Sequence, residues 1–438
     1  MSLEALFYPK SVAVVGASNN LGSGKMPYFQ IIQGGGFSGP VYPINPKGGE
    51  IGGTQVYKSL DDLPGPVDLA IVAAPVEQSI EIVKAAVRKQ IKFIHFFTSG
   101  FGETGNWKLE KDIISEARKG NLRIVGPNCM GVHCTESKIS FTVIPPQESA
   151  GTIAFLGQSG GVTANFMAMG TTRKIIINKV VSYGNQIDLK IEEYLDYLAD
   201  DENVRLIACY VEDIKDVDGF LRTLRRTTAK KPVIILKGGK TETGSKAAAS
   251  HTGAMASNYT IWEAAVKQHG GLIVDNFDEM MHLVMLGTLR RLPQGKRIGF
   301  LGAGGGVSVL FSDMAAQAGL SLPELGADAQ RMISEKIMGV NTSTVNPVDL
   351  GAFGFDLNVM LHTMKAMDAD ENIDIIVPYF SVEYILRVEL FLNVKNSADT
   401  ILEMGRQIKK PVIPILASFV EDDLEQERVR IETFASLR

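Results

Sequence analysis

The sequence predicts an α/β protein: one doubly wound parallel-sheet domain, then two copies of a second doubly wound domain. Two observations carry this. Residues 1–145 alternate short apolar runs with segments of helical periodicity. Such alternation marks strands joined by crossover helices, hence a parallel sheet covered on both faces. The second observation is that the chain from Thr152 onward repeats itself in order.

In the first stretch SVAVVGAS, GPVYPIN, DLAIVAAP, KFIHFFTSG and LRIVGPN read as buried strands, each followed or ended by Gly, Pro or Asn. Between two of them, VEQSIEIVKAAVRKQ places apolar residues at helical spacing. VIPPQESAG, Val143–Gly151, is the expected linker. Beyond it, TIAFLGQSGGV (Thr152–Val162) and RIGFLGAGGGV (Arg297–Val307) agree at 7 of 11 positions. NQIDL (Asn185–Leu189) answers NPVDL (Asn346–Leu350), and KKPVI occurs at both Lys230 and Lys409. The offsets are 145, 161 and 179 residues and the order is kept, which marks two copies of one domain. The expected domains are therefore 1–145, 150–289 and 296–438, with the seam near LRRLPQGKR. The last is expected to be incomplete at its C-terminus. After KKPVI the first copy continues through GGLIVDN and FDEMMHLVMLGTL, whereas the second continues with DDLEQERVRIETFASLR.

Bulk properties narrow the function. The 438 residues are 45% hydrophobic and 21% charged, an ordinary globular composition. A net charge of −5 offers no basic footprint for nucleic acid. No apolar run approaches the ~18 residues of a membrane span. The start, MSLEALFYPKSVAVVG, lacks the pattern of a signal peptide. Cys129, Cys134 and Cys209 form no CxxC pair, so a reducing cytoplasmic setting is expected. Neither nucleic acid nor membrane is an expected partner.

The motifs with chemistry sit on turns. GASNNLGSGK, Gly16–Lys25, follows a strand and opens a helix, so its N–H groups can hold a phosphate. It has neither GxGxxG nor Walker spacing. PINPKGG puts Lys47 where an NAD site wants an acid, which favours a phosphorylated ribose or another anion. GQSGG, Gly157–Gly161, repeats the strand–turn–helix arrangement and satisfies GxSxG. Ser159, Glu212 and His251 even follow the Ser…acid…His order of α/β-hydrolases. The second copy reads GAGGG, Gly302–Gly306, keeping the glycines without the serine. What repeats is thus a bare helix N-terminus, which suits phosphate better than a serine hydrolase. Glu212 closes the strand-like LIACYV, where a carboxylate could orient a histidine ring. The histidine available is His251, in KGGKTETGSKAAASHTGAMA (Lys237–Ala256). Glycines, serines and threonines around it allow close approach and large swings. No second His or Cys lies at ligand spacing, so no metal site is expected.

Together VVGAS, PINPK, TSGFGE, GPNCMG, GQSGG, GNQIDL, YVED, SHTGA and NPVDL resemble the NDP-forming acyl-CoA synthetases of the succinyl-CoA synthetase superfamily. The ADP-forming acetyl-CoA synthetase alpha subunit is the nearest type, and the resemblance covers essentially the whole chain. It implies a Rossmann-like CoA-binding domain followed by two flavodoxin-like ligase domains. It implies that acyl-CoA, ADP and phosphate interconvert with acid, CoA and ATP through acyl phosphate and a phosphohistidine. His251 matches the phosphorylated histidine and Glu212 the glutamate that holds it. Ser159, Gly160 and Gly161 match one phosphate-binding helix N-terminus, Gly305 and Gly306 the other. Gly16, Ser18, Asn19, Lys47, Thr98, Ser99, Gly100 and Phe101 lie where relatives hold CoA, with Asn128 and Cys129 near its thiol end. No ATP-grasp domain is visible in the sequence. An ATP-grasp beta subunit or domain is therefore the expected partner, binding ADP or ATP with Mg2+ in a homo- or hetero-oligomer. A non-catalytic CoA-binding regulatory module is the alternative.

Overall fold

The computed structural model describes residues 2–19, 26–143, 149–244, 259–289, 291–337, 339, 341–381 and 403–417. The chain divides into two compact units, Met1–Gly287 and Thr288–Arg438.

The first unit begins with α1 (Glu4–Phe7), β1 (Val12–Val15), α2 (Tyr28–Gly34), β2 (Val41–Ile44) and a small hairpin, β3 (Glu50–Ile51) and β4 (Thr54–Gln55). It continues through β5 (Leu69–Val72), α3 (Ser79–Arg88), β6 (Phe93–Phe96), α4 (Trp107–Arg118) and β7 (Arg123–Val125). The five strands predicted here form one parallel sheet in the order β2–β1–β5–β6–β7. They are apolar throughout because helices cover both faces. Ala13 and Val15 share a buried cluster with Val83 and Ala86 of α3. Val12 and Val14 point the other way, to Tyr28, Phe29 and Ile32 of α2.

A second sheet follows. It contains β8 (Gly131–Cys134), β9 (Ile153–Gly157), β10 (Ile177–Ser182), β11 (Leu206–Val211), β12 (Val233–Lys237) and β13 (Leu272–Val274). Interleaved are α5 (Gly160–Thr172), α6 (Ile191–Asp200), α7 (Val217–Thr228), α8 (Tyr259–Gln268) and α9 (Phe277–Gly287). The order is β13–β12–β11–β9–β10–β8, parallel except for β8, which runs antiparallel to β10. The sequence did not predict β8. Its four residues, GVHC, precede the expected linker yet hydrogen-bond into the next sheet. Helix ends follow their residues: Asp216 caps α7 by accepting from the Gly219 N–H at 2.9 Å, and Arg225 and Arg226 close its last turn.

The second unit holds β14 (Ile298–Gly302), α10 (Gly305–Gln317), α11 (Ala327–Ser334), β15 (Val348–Asp349), α12 (Leu357–Ala369), β16 (Ile375–Ser381) and β17 (Ile415–Ala417). Its parallel order β15–β14–β16–β17 is that of β10–β9–β11–β12, so the repeat read from the sequence is a repeat of winding. The expectation about the C-terminal end falls on residues outside those described. Among the described residues no helix is long and apolar enough to cross a membrane.

Polar groups are also buried in the first unit. Lys179 of β10 has a fully buried side chain, 3.1 Å from Glu136 and 2.7 Å from Asp201. It also donates to Asn178 at 2.8 Å, and the Tyr8 hydroxyl donates to Glu136. This network fastens the N-terminal segment to the second sheet. His95 on β6 and His133 on β8 are likewise buried. His95 Nε2 donates to the Cys129 carbonyl at 2.9 Å, and His133 sits between the Ser140 and Thr135 hydroxyls.

Two predictions follow from these groups. Lys179→Met should lower the unfolding free energy by about 3–5 kcal/mol, because Glu136 and Asp201 are left uncompensated. Urea denaturation checks it, and a loss below about 1 kcal/mol would show that the carboxylates find solvent instead. Burial lowers the pKa of both imidazoles to about 4. The folded chain then keeps them neutral while the unfolded chain binds protons below pH ~6.5. Stability should be full above that pH and fall by up to about 1.4 kcal/mol per pH unit per imidazole down to pH ~4. Denaturation midpoints across this window should show a shallower slope in His133→Gln.

Candidate functional site

In a doubly wound sheet ligands bind at the carboxyl ends of the strands, where the strand order reverses. In the first sheet that point lies between β1 and β5. Gly16 follows β1 with φ +91°, and a Cβ there would come within 2.4 Å of the Ala73 carbonyl oxygen beyond β5. Only glycine fits so close an approach. The turn after β1 is held by Asn45, which donates to the Ala17 carbonyl at 2.9 Å. Gln30 donates to the Ser18 carbonyl at 3.0 Å, and Asn19 to the Glu50 carbonyl at 2.9 Å. Lys47 is exposed beyond β2, its N–H donating to Asn45 at 3.1 Å.

A cavity of about 690 Å³ opens over the carboxyl ends of β5, β6 and β7. Thr98, Ser99, Asn128 and Cys129 line it, and so do Ser159, Gly160 and Gly161 from the second sheet. Seven of the residues singled out in the sequence are thereby brought to one space. Thr98 is fixed by donating to the Ala74 carbonyl at 2.7 Å, and Asn128 by donating its N–H to the Thr98 carbonyl at 3.0 Å. Gly100, with φ +105°, lies against Val76 of the cavity wall. Phe101 is not among the residues that line the cavity. Its side chain is fully buried and packs edge-on to Phe96, with ring centroids 5.8 Å apart. Its N–H donates to Glu103, so it is part of the core under the turn. Cys129 is buried as well, and burial pushes its thiol well above the ordinary range. It presents no thiolate to an acyl group.

Ser159 is the N-cap of α5. Its hydroxyl accepts from the Val162 N–H at 3.4 Å, with φ −96° and ψ 131°. That is unstrained extended backbone, unlike the strained elbow of a hydrolase nucleophile. Gly160 and Gly161 form the first turn, where unpaired N–H groups and the helix dipole favour an anion. A Cβ on Gly160 would lie 3.1 Å from Met130, so small residues keep this end open.

Glu212 directly follows β11. Gln158, 3% exposed, accepts the Glu212 and Asp213 N–H groups at 2.7 and 2.9 Å. This glutamine joins the end of β9 to the end of β11, and sequence reasoning missed it. The signal was present: the first copy has Gln where the second has Ala303. The Glu212 Oε2 is buried without a hydrogen-bond partner among the described residues. Burial, followed by the Glu212 charge, raises the neighbouring Tyr210 hydroxyl above its ordinary value. The partner that the sequence suggested, His251, lies outside the described residues.

In the second unit Gly305 and Gly306 open α10. Asp349, also missed, reaches this end: its carboxylate accepts the Gly304 and Gly351 N–H groups at 3.0 and 2.9 Å. Its counterpart in the first copy, Asp188, instead accepts from the Ile124 N–H at 2.8 Å and from Arg123 at 2.9 Å. Among the described residues no three His, Cys, Asp or Glu side chains gather as a metal site.

Comparison with known proteins agrees with this geometry. The family described as a CoA binding domain matches residues 10–135, and the succinyl-CoA ligase like flavodoxin domain matches residues 150–286. The chain is 37% identical to the alpha subunit of acetate–CoA ligase [ADP-forming] II of Pyrococcus furiosus, over 86% of this chain and 81% of that one. It is 35% identical to the acetate–CoA ligase [ADP-forming] of Methanocaldococcus jannaschii, over 80% of this chain but 49% of that longer one. The dinucleotide forming acetyl-coenzyme A synthetase 1 of Ca. Korarchaeum cryptofilum, solved with phosphate and ADP, superposes with a TM-score of 0.85 at 28% identity, covering 100% of this chain and 96% of that one. With 37% identity over an alignment that takes in 81% of such an alpha subunit, the chain belongs to the ADP-forming acyl-CoA ligase family.

Proposed function

We propose that this chain is the CoA-binding, phosphoryl-carrying component of an ADP-forming acyl-CoA ligase. One observation carries the reading: the Thr98–Ser99 and Asn128–Cys129 turns, two of those that would hold CoA, share one cavity with the N-terminus of α5. A thioester on one wall then lies beside a phosphate on the other. A phosphate oxygen attacks the thioester carbonyl carbon, the C–S bond breaks, and CoA leaves as the thiol after taking a proton. The Ser159–Gly161 N–H groups hold the phosphate oxygens through this step. The His251 ring nitrogen next attacks the phosphorus of the acyl phosphate, and the P–O bond to the acyl group breaks to release the carboxylate. Transfer from His251 to a terminal oxygen of ADP yields ATP and restores the imidazole. Glu212 orients the ring and stabilises its charged form, which gives the orphaned carboxylate oxygen a partner. A carboxylate with one oxygen left for a further donor suits a working site better than a regulatory module with a retired one.

The proposed division is a CoA-binding domain at 1–145 and ligase domains at 150–289 and 296–438. Gly305 and Gly306 are proposed as a second phosphoryl rest, with Asp349 shaping their turn. The relatives named as alpha subunits support a beta partner, proposed to be an ATP-grasp chain or domain that binds ADP or ATP with Mg2+. A cytoplasmic hetero-oligomer is the proposed setting.

The isolated chain should bind CoA, and Lys47→Ala should weaken CoA about 3–10-fold while barely changing dephospho-CoA, as expected for loss of one exposed phosphate contact. Calorimetry with both ligands checks this, and equal changes for the two would remove Lys47 from the ribose phosphate. Incubation with acetyl-CoA and labelled phosphate should leave acid-labile, base-stable label on the wild type. None is expected on His251→Ala, and slower labelling on Glu212→Gln. Label retained by His251→Ala would sink the phosphohistidine route.

A further inference from the structure

Lys237 is the last residue of β12, in register with Val211 of β11, and is only 6% exposed. Its ammonium donates to the Glu212 carbonyl at 2.8 Å and also to the Gly238 carbonyl. Trp262 of α8 closes over it, ring centroid 5.9 Å away. Burial pushes the Lys237 pKa down, against the Asp213 and Glu212 charges, which favour the cation. A leucine would fill this space without the cost of burying an ammonium. The lysine must therefore do something that packing does not.

What it does is visible in its partners. One accepting carbonyl belongs to Glu212, whose Oε2 has no hydrogen-bond partner among the described residues. The other belongs to the first glycine after β12, where the chain sets out toward His251. The clamp thus ties two neighbouring strand ends together at the Glu212 main chain. Close by, Lys240 repeats the pattern on a second aromatic. It lies 5.4 Å from the Tyr259 ring centroid, Tyr259 stacks on Trp262 at 6.0 Å, and Lys240 also donates to the Val274 carbonyl at 3.0 Å. The indole Nε1 of Trp262, like the Glu212 Oε2, is buried without a hydrogen-bond partner among the described residues.

We propose that Lys237 is a positioning residue for phosphoryl transfer, clamping the Glu212 main chain to Gly238 so that the Glu212 carboxylate is held ready for the histidine ring. This rests on His251 being the phosphoryl carrier. In this role the ammonium acts through the geometry of Glu212. A small misplacement of such a group can cost two orders of magnitude in rate.

The test measures labelling of the chain by acetyl-CoA and labelled phosphate, alongside CoA affinity and, with an ATP-grasp partner, kcat and KM. Lys237→Met keeps the length and apolar bulk but removes both donors. Base-stable label should then form about 10- to 100-fold more slowly, with the CoA affinity and the KM for CoA unchanged and kcat reduced. Lys237→Arg, which keeps the cation and its donors, should recover most of the rate. If Lys237→Met yields no folded protein, Lys237→Ser takes its place with the same expected loss. Wild-type label with equally fast labelling of Lys237→Met overturns the role of Lys237 alone. So does a loss confined to melting temperature, with the rate per folded molecule unchanged. A wild type that takes no base-stable label overturns the phosphohistidine reading and this role with it.

Discussion

The site depends on how little chain separates the first sheet from the second. β7 ends at Val125 and β8 begins at Gly131. Residues 126–130 can span no more than about 17–20 Å even when extended. Because β8 is hydrogen-bonded antiparallel to β10, the carboxyl edge of one sheet is held against the carboxyl edge of the other. The tether is reinforced on its far side. The Leu189, Ile187 and Asn185 N–H groups donate to the Ile124, Gly126 and Pro127 carbonyls at 3.2, 3.1 and 3.0 Å. A Cβ on Gly184 would come 2.1 Å from the Pro127 carbonyl oxygen, so the backbones meet where only glycine allows it. The turns after β5, β6 and β7 and the start of α5 thus line one chamber.

Much of this was legible in the sequence because it rests on local pattern. Apolar runs ended by Gly, Pro or Asn mark strands buried on both faces, and the strands are where the runs are. The ordered repeat showed one winding used twice. Ser159, Gly160 and Gly161 were legible since a strand, a small-residue turn and a helix have a fixed physical meaning. What escaped was set by distance in space. Gln158 reads as a turn residue until β11 lies beside β9. β8 has no alternation and too few residues to announce itself. A turn motif such as TSGFG does not say which of its side chains faces inward, and Phe101 does. Lys237 looks like the polar end of a strand until Trp262 covers it.

The duplicated aspartates show how the copies diverged under the same backbone. Asp188 turns to Arg123 and ties the second sheet to the end of the first. Asp349 turns to the N-terminus of its own copy's helix and fixes a glycine with φ +114°. The motif around each is nearly the same, so the difference lies in what was near enough to receive a carboxylate. The first copy has a neighbouring arginine; among the described residues Asp349 accepts from backbone donors of its own copy.

β8 also bears on how such a chain can be cut and recombined. The segment that looks like a natural seam, Val143–Gly151, lies after a strand that already belongs to the following sheet. A chimera spliced there would take its CoA-binding half with an orphan strand attached and leave β10 with a bare edge. Bare edges invite pairing with foreign strands. A junction that leaves β8 with its own sheet has to fall upstream of it, in the short tether whose Asn128 and Cys129 line the chamber. A new first domain grafted at that point would have to bring its own loop walls to fit a rim it did not evolve with.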